Sequence, residues 1–545
     1  MSDVNGGQLI ARQLKAAGID TVFAVVAGPM LQALTGAVEE GIKVVNCRHE
    51  ESAAFMASAW GYVNRQPGVV IVGSGPGMTN TVTSLYVATE SAMPLVVLGG
   101  SNDARQRGLG SFQEADQVAF ARPGSKWVSA VASTERIPGA VHLALGKSIS
   151  GRPGGVYLDF PGELISNRVP EETAPLRMSK PTVSRPHPDP AGVATIADML
   201  CNAERPLILI GKGAAWADAG PALTRLVDRG IPFLASPMGR GPVPDDHGLC
   251  MGAARSTAMA GADVVLMVGA RFNWTFQFGD RLADDARIAH IDIEAEEMYS
   301  AANVELGLVA DCAIAVEQIN EAIEGRTLKT AGTNWASTLQ EQCLKNQASI
   351  TEQMDSDQVP INHYRLLRDV RDCLSRDATV TEDGEFTMGV TRQVMPSYLA
   401  RHRLGAGTTG CMGTGLPYAI GAKIARPDQQ VVAVLGDYAF GAAAMEVETC
   451  ARMGVHVVIV ISNNAGIAAH TIQDNMFPPD SPPVATLIPA RYEQMVEMVG
   501  GHAERVVHPD DIRPAIERAL AADTVALVNV ETDPKAQRRG AGYLG

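Results

Sequence analysis

The sequence is poor in aromatic residues, in charge and in cysteine. Phe, Trp and Tyr make up 5% of its 545 residues, and Asp, Glu, Lys and Arg only 19%. The eight cysteines, at 47, 201, 250, 312, 343, 373, 411 and 450, stand too far apart for a CxxC pair or a zinc spacing. That excludes a disulfide scaffold and fits buried, reduced thiols in a cytoplasmic protein. No apolar run approaches the roughly 20 residues of a membrane helix. The N-terminal stretch, with Asp3 and no long apolar segment, does not read as a signal peptide. Positive charge is also scarce: 45 Lys and Arg against 60 Asp and Glu leave a net charge of −15. A nucleic-acid groove or an anionic membrane surface is thereby disfavoured as the main partner. A small anionic ligand held by a few local Arg and Lys is not.

What the chain has in quantity is glycine, 54 residues, alongside alanine, in a sequence too long for one core. Short β-branched runs alternate with Ala-rich amphipathic stretches from end to end, as in parallel sheets crossed by helices. The expected fold is α/β, with three consecutive doubly wound parallel-sheet domains over residues 1–165, 191–325 and 359–534. The polar, Pro-rich stretch 166–190 reads as a linker, and so does the charged helical passage 326–358. Strands are expected near Thr21–Val26, Val44–Cys47, Val69–Val72, Leu95–Leu98 and Val156–Asp159 in the first block. In the second they fall near Leu207–Ile210, Val264–Val268 and Ile288–Ile293, and in the third near Thr379–Glu382, Gln430–Leu435, Val455–Ile461 and Ala526–Glu531.

The third block holds the sharpest chemical signal. A buried strand ends in Gly436-Asp437-Tyr438-Ala439-Phe440-Gly441, and the next strand ends in Ser462-Asn463-Asn464-Ala465-Gly466-Ile467. Adjacent parallel strands put both tips at the carboxyl edge of one sheet, where open α/β sheets bind ligands. The Asp437 carboxylate, the Asn464 amide oxygen and the Gly466 carbonyl are hard oxygen donors suited to Mg²⁺. Backbone N–H groups around Tyr438 and Ala439, at a helix start, suit phosphates.

This pair of motifs resembles the thiamine diphosphate–magnesium site of the thiamine-dependent decarboxylases, lyases and synthases. The first block agrees: Arg48-His49-Glu50 precedes an Ala-rich helix and is followed by Gly73-Ser74-Gly75-Pro76-Gly77-Met78-Thr79-Asn80. The resemblance implies that the first domain binds the pyrimidine, with Glu50 hydrogen-bonded to its N1′ and Pro76 and Asn80 nearby. It makes Gly410 and Met412, in Gly410-Cys411-Met412-Gly413, the wedge between the coenzyme rings, and the third domain the diphosphate site. It further implies an active site shared between subunits, hence a homodimer at least, or a homotetramer.

The middle block narrows the family. Gly211-Lys212-Gly213, Gly252-Ala253-Ala254-Arg255, Gly269-Ala270-Arg271 and His290-Ile291-Asp292, together with Met445-Glu446-Val447-Glu448-Thr449 in the third block, resemble the 2-hydroxyacyl-CoA lyase and oxalyl-CoA decarboxylase branch. By that resemblance, Lys212 and Arg255 contact the phosphates of a CoA thioester, and Arg152, Arg271 and Asp292 match an ADP activator site. Arg forks suit phosphates and an Asp suits ribose hydroxyls. The loop Gly110-Ser111-Phe112-Gln113-Glu114 is similar to the lyases; the decarboxylases carry a Tyr-Glu pair at the positions of Phe112 and Gln113. The expected reaction cleaves a 2-hydroxyacyl-CoA to formyl-CoA and an aldehyde or ketone, reversibly, with Gln113 meeting the 2-hydroxyl or thioester oxygen. Oxalyl-CoA decarboxylase, an acetolactate-synthase-like carboligase and a catalytically degenerate CoA- or ADP-binding subunit stay open as other readings. The base for the 2-hydroxyl also stays open among the coenzyme, Gln113 and His470. Gly28 and Ala468 stand where relatives often carry Ile and Tyr, which implies a widened substrate pocket. The basic tail 535–545, with Lys535, Arg538, Arg539 and Tyr543, reads as a lid over the thioester.

Overall fold

The structure, a computed structural model, describes residues 3–467, 474–478 and 480–536. Ala468, His470 and the tail beyond residue 536 lie outside the described residues, and with them the expectations placed there.

A short strand β1 (Asp3–Asn5) precedes the first parallel sheet, which contains β2 (Thr21–Ala24), β3 (Lys43–Asn46), β4 (Gly68–Val72), β5 (Leu95–Ser101), β6 (Trp127–Ala130) and β7 (Gly155–Pro161). Their spatial order is β3-β2-β4-β5-β7-β6. The stretch expected to be a plain linker contains β8 (Arg168–Pro170), which pairs antiparallel with β1 and sets Val4 opposite Val169. Both valines are buried, which gives the pair a reason to form inside an otherwise polar passage. The second sheet has β9 (Pro206–Ile210), β10 (Phe233–Ala235), β11 (Val264–Val268), β12 (Arg287–Asp292) and β13 (Leu306–Val309) in the order β10-β9-β11-β12-β13. The third has β14 (Thr379–Asp383), β15 (Arg403–Gly405), β16 (Val431–Gly436), β17 (Val458–Asn463), β18 (His502–Val506) and β19 (Ala526–Glu531). Its order, β15-β14-β16-β17-β19-β18, repeats the first sheet strand for strand.

Helices cover the sheets, so the inner strands are buried on both faces and read as unbroken apolar runs, Val69–Val72 and Val431–Leu435 among them. The helix Trp335–Met354, in the second expected linker, lays Trp335, Leu339 and Cys343 into the core of the middle block, and the Trp335 indole N–H donates to the Pro206 carbonyl at 2.9 Å.

The first and third blocks meet through the helices Glu50–Asn64 and Gly415–Ala425. The approach is close enough that a Cβ on Gly421 would lie 2.2 Å from the Met56 carbonyl oxygen, so glycine is required there. All three blocks converge on Asp218, whose carboxylate accepts from Arg65 of the first block and Arg401 of the third.

Candidate functional site

In the third sheet the chain reverses its winding between β14 and β16, because β15 lies on one side of β14 and β16 and β17 on the other. Such a switch point leaves a crevice at the carboxyl ends of the strands. The crevice is lined by Gly410, Met412, Asp437, Tyr438, Ala439, Asn464, Gly466 and Ile467, eight of the residues singled out in the sequence. Asp437, the first residue after β16, is buried, and its two oxygens accept from Tyr438 N at 2.8 Å and Gly466 N at 3.0 Å. Asn463 and Asn464 divide their labour. Asn463 turns inward and donates to the Ala490 carbonyl and the Asn529 amide oxygen, both at 3.1 Å, while Asn464 lines the crevice.

The loop that carries Met412 is held by Asp383 at the end of β14. One Asp383 oxygen accepts from Gly415 N at 2.9 Å and the other from Gly384 N at 2.7 Å. Burial pushes this carboxyl up to about 6, against which the backbone amides of Gly415, Gly384, Gly413 and Thr414 act. Met412 stays 38% exposed at the mouth of the crevice. Ser462, at the head of the second motif, also lines it, and so do His363 and Glu385, which the sequence did not single out. The Glu382-Asp383-Gly384-Glu385 run at a strand end was the available signal for Glu385; His363 opens a helix, and nothing in its surroundings in sequence marks it.

The donor set fits a hard divalent ion bound with a diphosphate. Asp437, Asn464 and Gly466 offer one carboxylate, one amide oxygen and one main-chain carbonyl. No group of three or more His, Cys, Asp or Glu side chains that could hold a metal exists among the described residues, so no competing acidic cage is present there.

In the first block, Glu50 is the first residue of the helix Glu50–Asn64, capped by His49, whose Nδ1 accepts from Glu51 N at 3.3 Å. Asn80 Nδ2 donates to Glu50 Oε2 at 3.0 Å, so two residues 30 apart in sequence meet at the carboxyl edge of the first sheet. Glu51 is half-buried, and burial raises its carboxyl above the usual range. Pro76 opens the short helix Pro76–Thr79 just before Asn80. The turn ahead of it packs under the loop 110–114: a Cβ on Gly75, at φ +54°, would lie 2.5 Å from the Gln113 carbonyl oxygen. Ser74 Oγ hydrogen-bonds Gln113 Oε1 at 3.0 Å, while Phe112 is 84% exposed. Gly28 begins a short 3-10 turn after β2, and a Cβ placed on it would meet no atom within 4 Å. Glu50, Gln113 and Gly28 are not among the residues lining the crevice of the same chain.

A separate cavity lies where the three blocks join. Arg152, Lys212, Arg271 and Asp292 line it together, with Glu90 from the first block and Thr408 from the third. Arg152 and Arg271 both donate to the Glu90 carbonyl, at 2.8 and 2.6 Å. Half-buried Lys212 sets its Nζ 4.2 Å from the centroid of the Tyr62 ring, and desolvation there holds its amine well below the usual lysine range. Burial also pushes the Asp292 carboxyl up to about 6. Arg255 does not line this cavity. Its guanidinium donates to the Thr275 carbonyl and lies 4.7 Å from the Phe276 ring centroid, while Thr275 and Phe276 themselves form part of the wall.

Family models agree with this division of the chain. Residues 4–120 match the thiamine pyrophosphate enzyme N-terminal TPP binding domain, 193–319 the central domain and 383–530 the C-terminal TPP binding domain. Among curated relatives, 2-hydroxyacyl-CoA lyase 1 of Homo sapiens is 34% identical over 559 residues, covering 99% of this chain and 96% of the relative. The 2-hydroxyacyl-CoA lyase of Oryza sativa subsp. japonica is 36% identical, covering 98% and 96%. Oxalyl-CoA decarboxylase of Escherichia coli (strain K12) is 34% identical, covering 98% and 95%.

Proposed function

The chain belongs to the thiamine pyrophosphate enzyme family, and we propose that within it the protein is a carbon–carbon lyase that cleaves 2-hydroxyacyl-CoA thioesters to formyl-CoA and an aldehyde or ketone. The observation that carries this reading is the loop 110–114. It presents an exposed Phe112 and, at Gln113, a neutral amide braced by Ser74. Phe112 offers no polar group to a second carboxylate on the substrate, whereas a 2-hydroxyl or a thioester oxygen finds the hydrogen-bonding amide of Gln113.

Thiamine diphosphate, when bound, supplies a carbon nucleophile that also stores the electron pair released when the carbon–carbon bond breaks. The residues of this chain hold and tune it. Asp437, Asn464 and Gly466 would hold Mg²⁺, and the amides after Asp437 would meet the diphosphate. Met412, kept at the mouth by the Asp383-anchored loop, would hold the coenzyme rings. Glu50 holds or releases a proton at N1′ of the pyrimidine, and Asn80 fixes the carboxylate that does so.

Glu50 and the crevice lie in separate blocks, and Glu50 is absent from the crevice wall of its own chain. We therefore place the complete site between two copies, a homodimer or a homotetramer of such pairs; exposed Val26, Leu109 and Phe112 near the Glu50 edge support it. The cavity between the blocks would take the nucleotide end of the CoA thioester, or ADP, through Lys212, Arg152, Arg271 and Asp292. A cytoplasmic location is part of the same proposal, supported by eight free cysteines.

Incubating the Mg²⁺- and coenzyme-loaded protein with several 2-hydroxyacyl-CoA thioesters and with oxalyl-CoA, and identifying products by mass, tests the reading. Formyl-CoA with a matching carbonyl compound is the expected result. Turnover of oxalyl-CoA alone would make it a decarboxylase, and no turnover despite stoichiometric coenzyme would make it a binding subunit.

A further inference from the structure

Glu446 is a buried carboxylate that the mechanism above does not use. It opens the helix Glu446–Met453 in the third block and is 1% exposed. Its carboxylate crosses to the first block, where Oε1 accepts from Arg48 N and His49 N, both at 3.2 Å, and Oε2 lies 3.3 Å from Arg48 N. Thr449 Oγ1 donates to Oε2 at 2.6 Å and fixes the rotamer. Burial raises the carboxyl above its usual range, while the Arg48 and His49 amides and the Thr449 hydroxyl pull the other way.

The two amides belong to the residues immediately ahead of Glu50. His49 is the cap of the Glu50–Asn64 helix, so its backbone sets where the first helical residue starts and where its side chain points. Two further contacts tie the same segment to the same helix. Arg452 donates to the Asn46 carbonyl at 2.7 Å, and Arg48 pairs with Glu448 at 3.9 Å. The Arg48 pair is half exposed and adds little by itself, whereas the Glu446 hydrogen bonds are buried and charge-assisted, hence the strong members of the set. On the other side, Glu446 is nine residues after Asp437, one short helix away from the crevice.

Resting on the reading of Glu50 given above, we propose that Glu446 is a positioning residue. It clamps the Arg48–His49 turn so that the Glu50 carboxylate is fixed toward Asn80 and the coenzyme, and it couples that carboxylate to the third block of its own chain. The clamp exists without the coenzyme and is therefore measurable without it.

The experiment compares wild type with Glu446→Ala, Glu446→Asp and Glu446→Gln. Backbone hydrogen exchange over residues 46–52 is read in the coenzyme-free protein. C2-proton exchange and coenzyme affinity are read in the thiamine diphosphate–Mg²⁺ complex. Loss of two charge-assisted hydrogen bonds in Glu446→Ala should speed exchange of the Arg48 and His49 amides and slow C2-proton exchange, each by about tenfold. Coenzyme affinity should stay within about threefold, because Glu446 touches no coenzyme-facing group. Glu446→Gln, which keeps one acceptor oxygen, should recover part of both effects. Should Glu446→Ala fail to fold, Glu446→Asp withdraws the same charge by one carbon and should show the same changes at smaller size. Unchanged amide protection and unchanged C2-proton exchange in these variants would overturn the proposal. Glu50→Gln, run alongside, separates the causes. If it too leaves C2-proton exchange at the wild-type rate, the reading of Glu50 fails; if it alone slows exchange, only the role of Glu446 fails.

Discussion

Gly466 donates its backbone N–H to the Asp437 carboxylate at 3.0 Å, joining the segments that follow β16 and β17. The other Asp437 oxygen takes Tyr438 N at 2.8 Å, so the carboxylate is fixed before any ligand arrives. Such preorganisation matters for a metal–diphosphate site, since side-chain ordering is then no longer charged against binding. It also links the two residues that the sequence pattern set 29 positions apart as candidate ligands of one ion.

Asp437→Ala removes the only carboxylate of that trio and leaves phosphate charge uncompensated. Thiamine diphosphate affinity should fall by at least about a hundredfold, as for loss of a buried charged ligand. Chelation of Mg²⁺ from the wild type should reproduce the loss. Calorimetric titration of coenzyme in the presence and absence of Mg²⁺ checks both; stoichiometric binding by Asp437→Ala would refute the metal assignment.

Glu50→Gln keeps the shape of the side chain and a hydrogen-bonding oxygen for Asn80 but no longer shares a proton. Turnover should drop by about two to four orders of magnitude, the usual range for a general acid–base group. Coenzyme binding should hold, because the diphosphate end is anchored in another block. Steady-state rates read beside coenzyme titrations separate the two effects, and a parallel loss of affinity would mean that Glu50 serves binding instead.

The stability of the Met412 loop should depend on pH through Asp383. Burial sets its folded value at about 6, above the ordinary 3.8. The folded state therefore keeps a proton that the unfolded state has already released between those values. Stability from this group is highest below about pH 4 and declines as pH rises through 6, by roughly 2–3 kcal/mol in all. Asp383→Asn lacks the titration and turns an NH₂ against an N–H donor, either Gly415 or Gly384, so it should be less stable throughout. Its deficit should shrink by about 2 kcal/mol between pH 4.5 and 7.5. Urea melts of the coenzyme-free proteins across that range measure it; a constant deficit would mean that Asp383 stays ionised.

How much of this was legible in the sequence depends on whether burial or partnership makes an element. The strands β4, β11 and β16 are buried on both faces, and their apolar runs give them away. The edge strands β6, β15 and β18 escaped because edges are short and mixed. β15 even carries Arg403, fully buried and paired with Glu382 at 2.8 Å, so a core residue reads as a loop residue. The crevice was legible because strand tips locate it and Asp437 and Asn464 lie one crossover apart. What two blocks do where they meet was not legible: Glu446 stands in a run that points to the family, but its partner Arg48 lies 398 positions away. Arg255 shows the converse, a residue in a suggestive motif that the structure seats on Phe276, behind the cavity wall.

Space at Gly28 should set the size of the carbonyl partner. The residue lies after β2, where the chain enters a 3-10 turn, and a Cβ there meets nothing within 4 Å. Its backbone is not in the left-handed region, so a larger side chain is sterically admissible. An Ile side chain at this position would fill the volume that glycine leaves open, and an acyl group branched at C2 is the simplest occupant of such a space. Gly28→Ile should therefore lower kcat/KM for 2-hydroxyacyl-CoA substrates that release ketones by about a hundredfold, the equivalent of roughly 3 kcal/mol of overpacking. Straight short-chain substrates should lose less than about threefold, and the melting temperature should hardly move, since no packed neighbour is displaced. Equal losses for branched and straight substrates would show that residue 28 does not line the acyl pocket, and a large fall in melting temperature would show that the space is occupied by packing across the subunit contact.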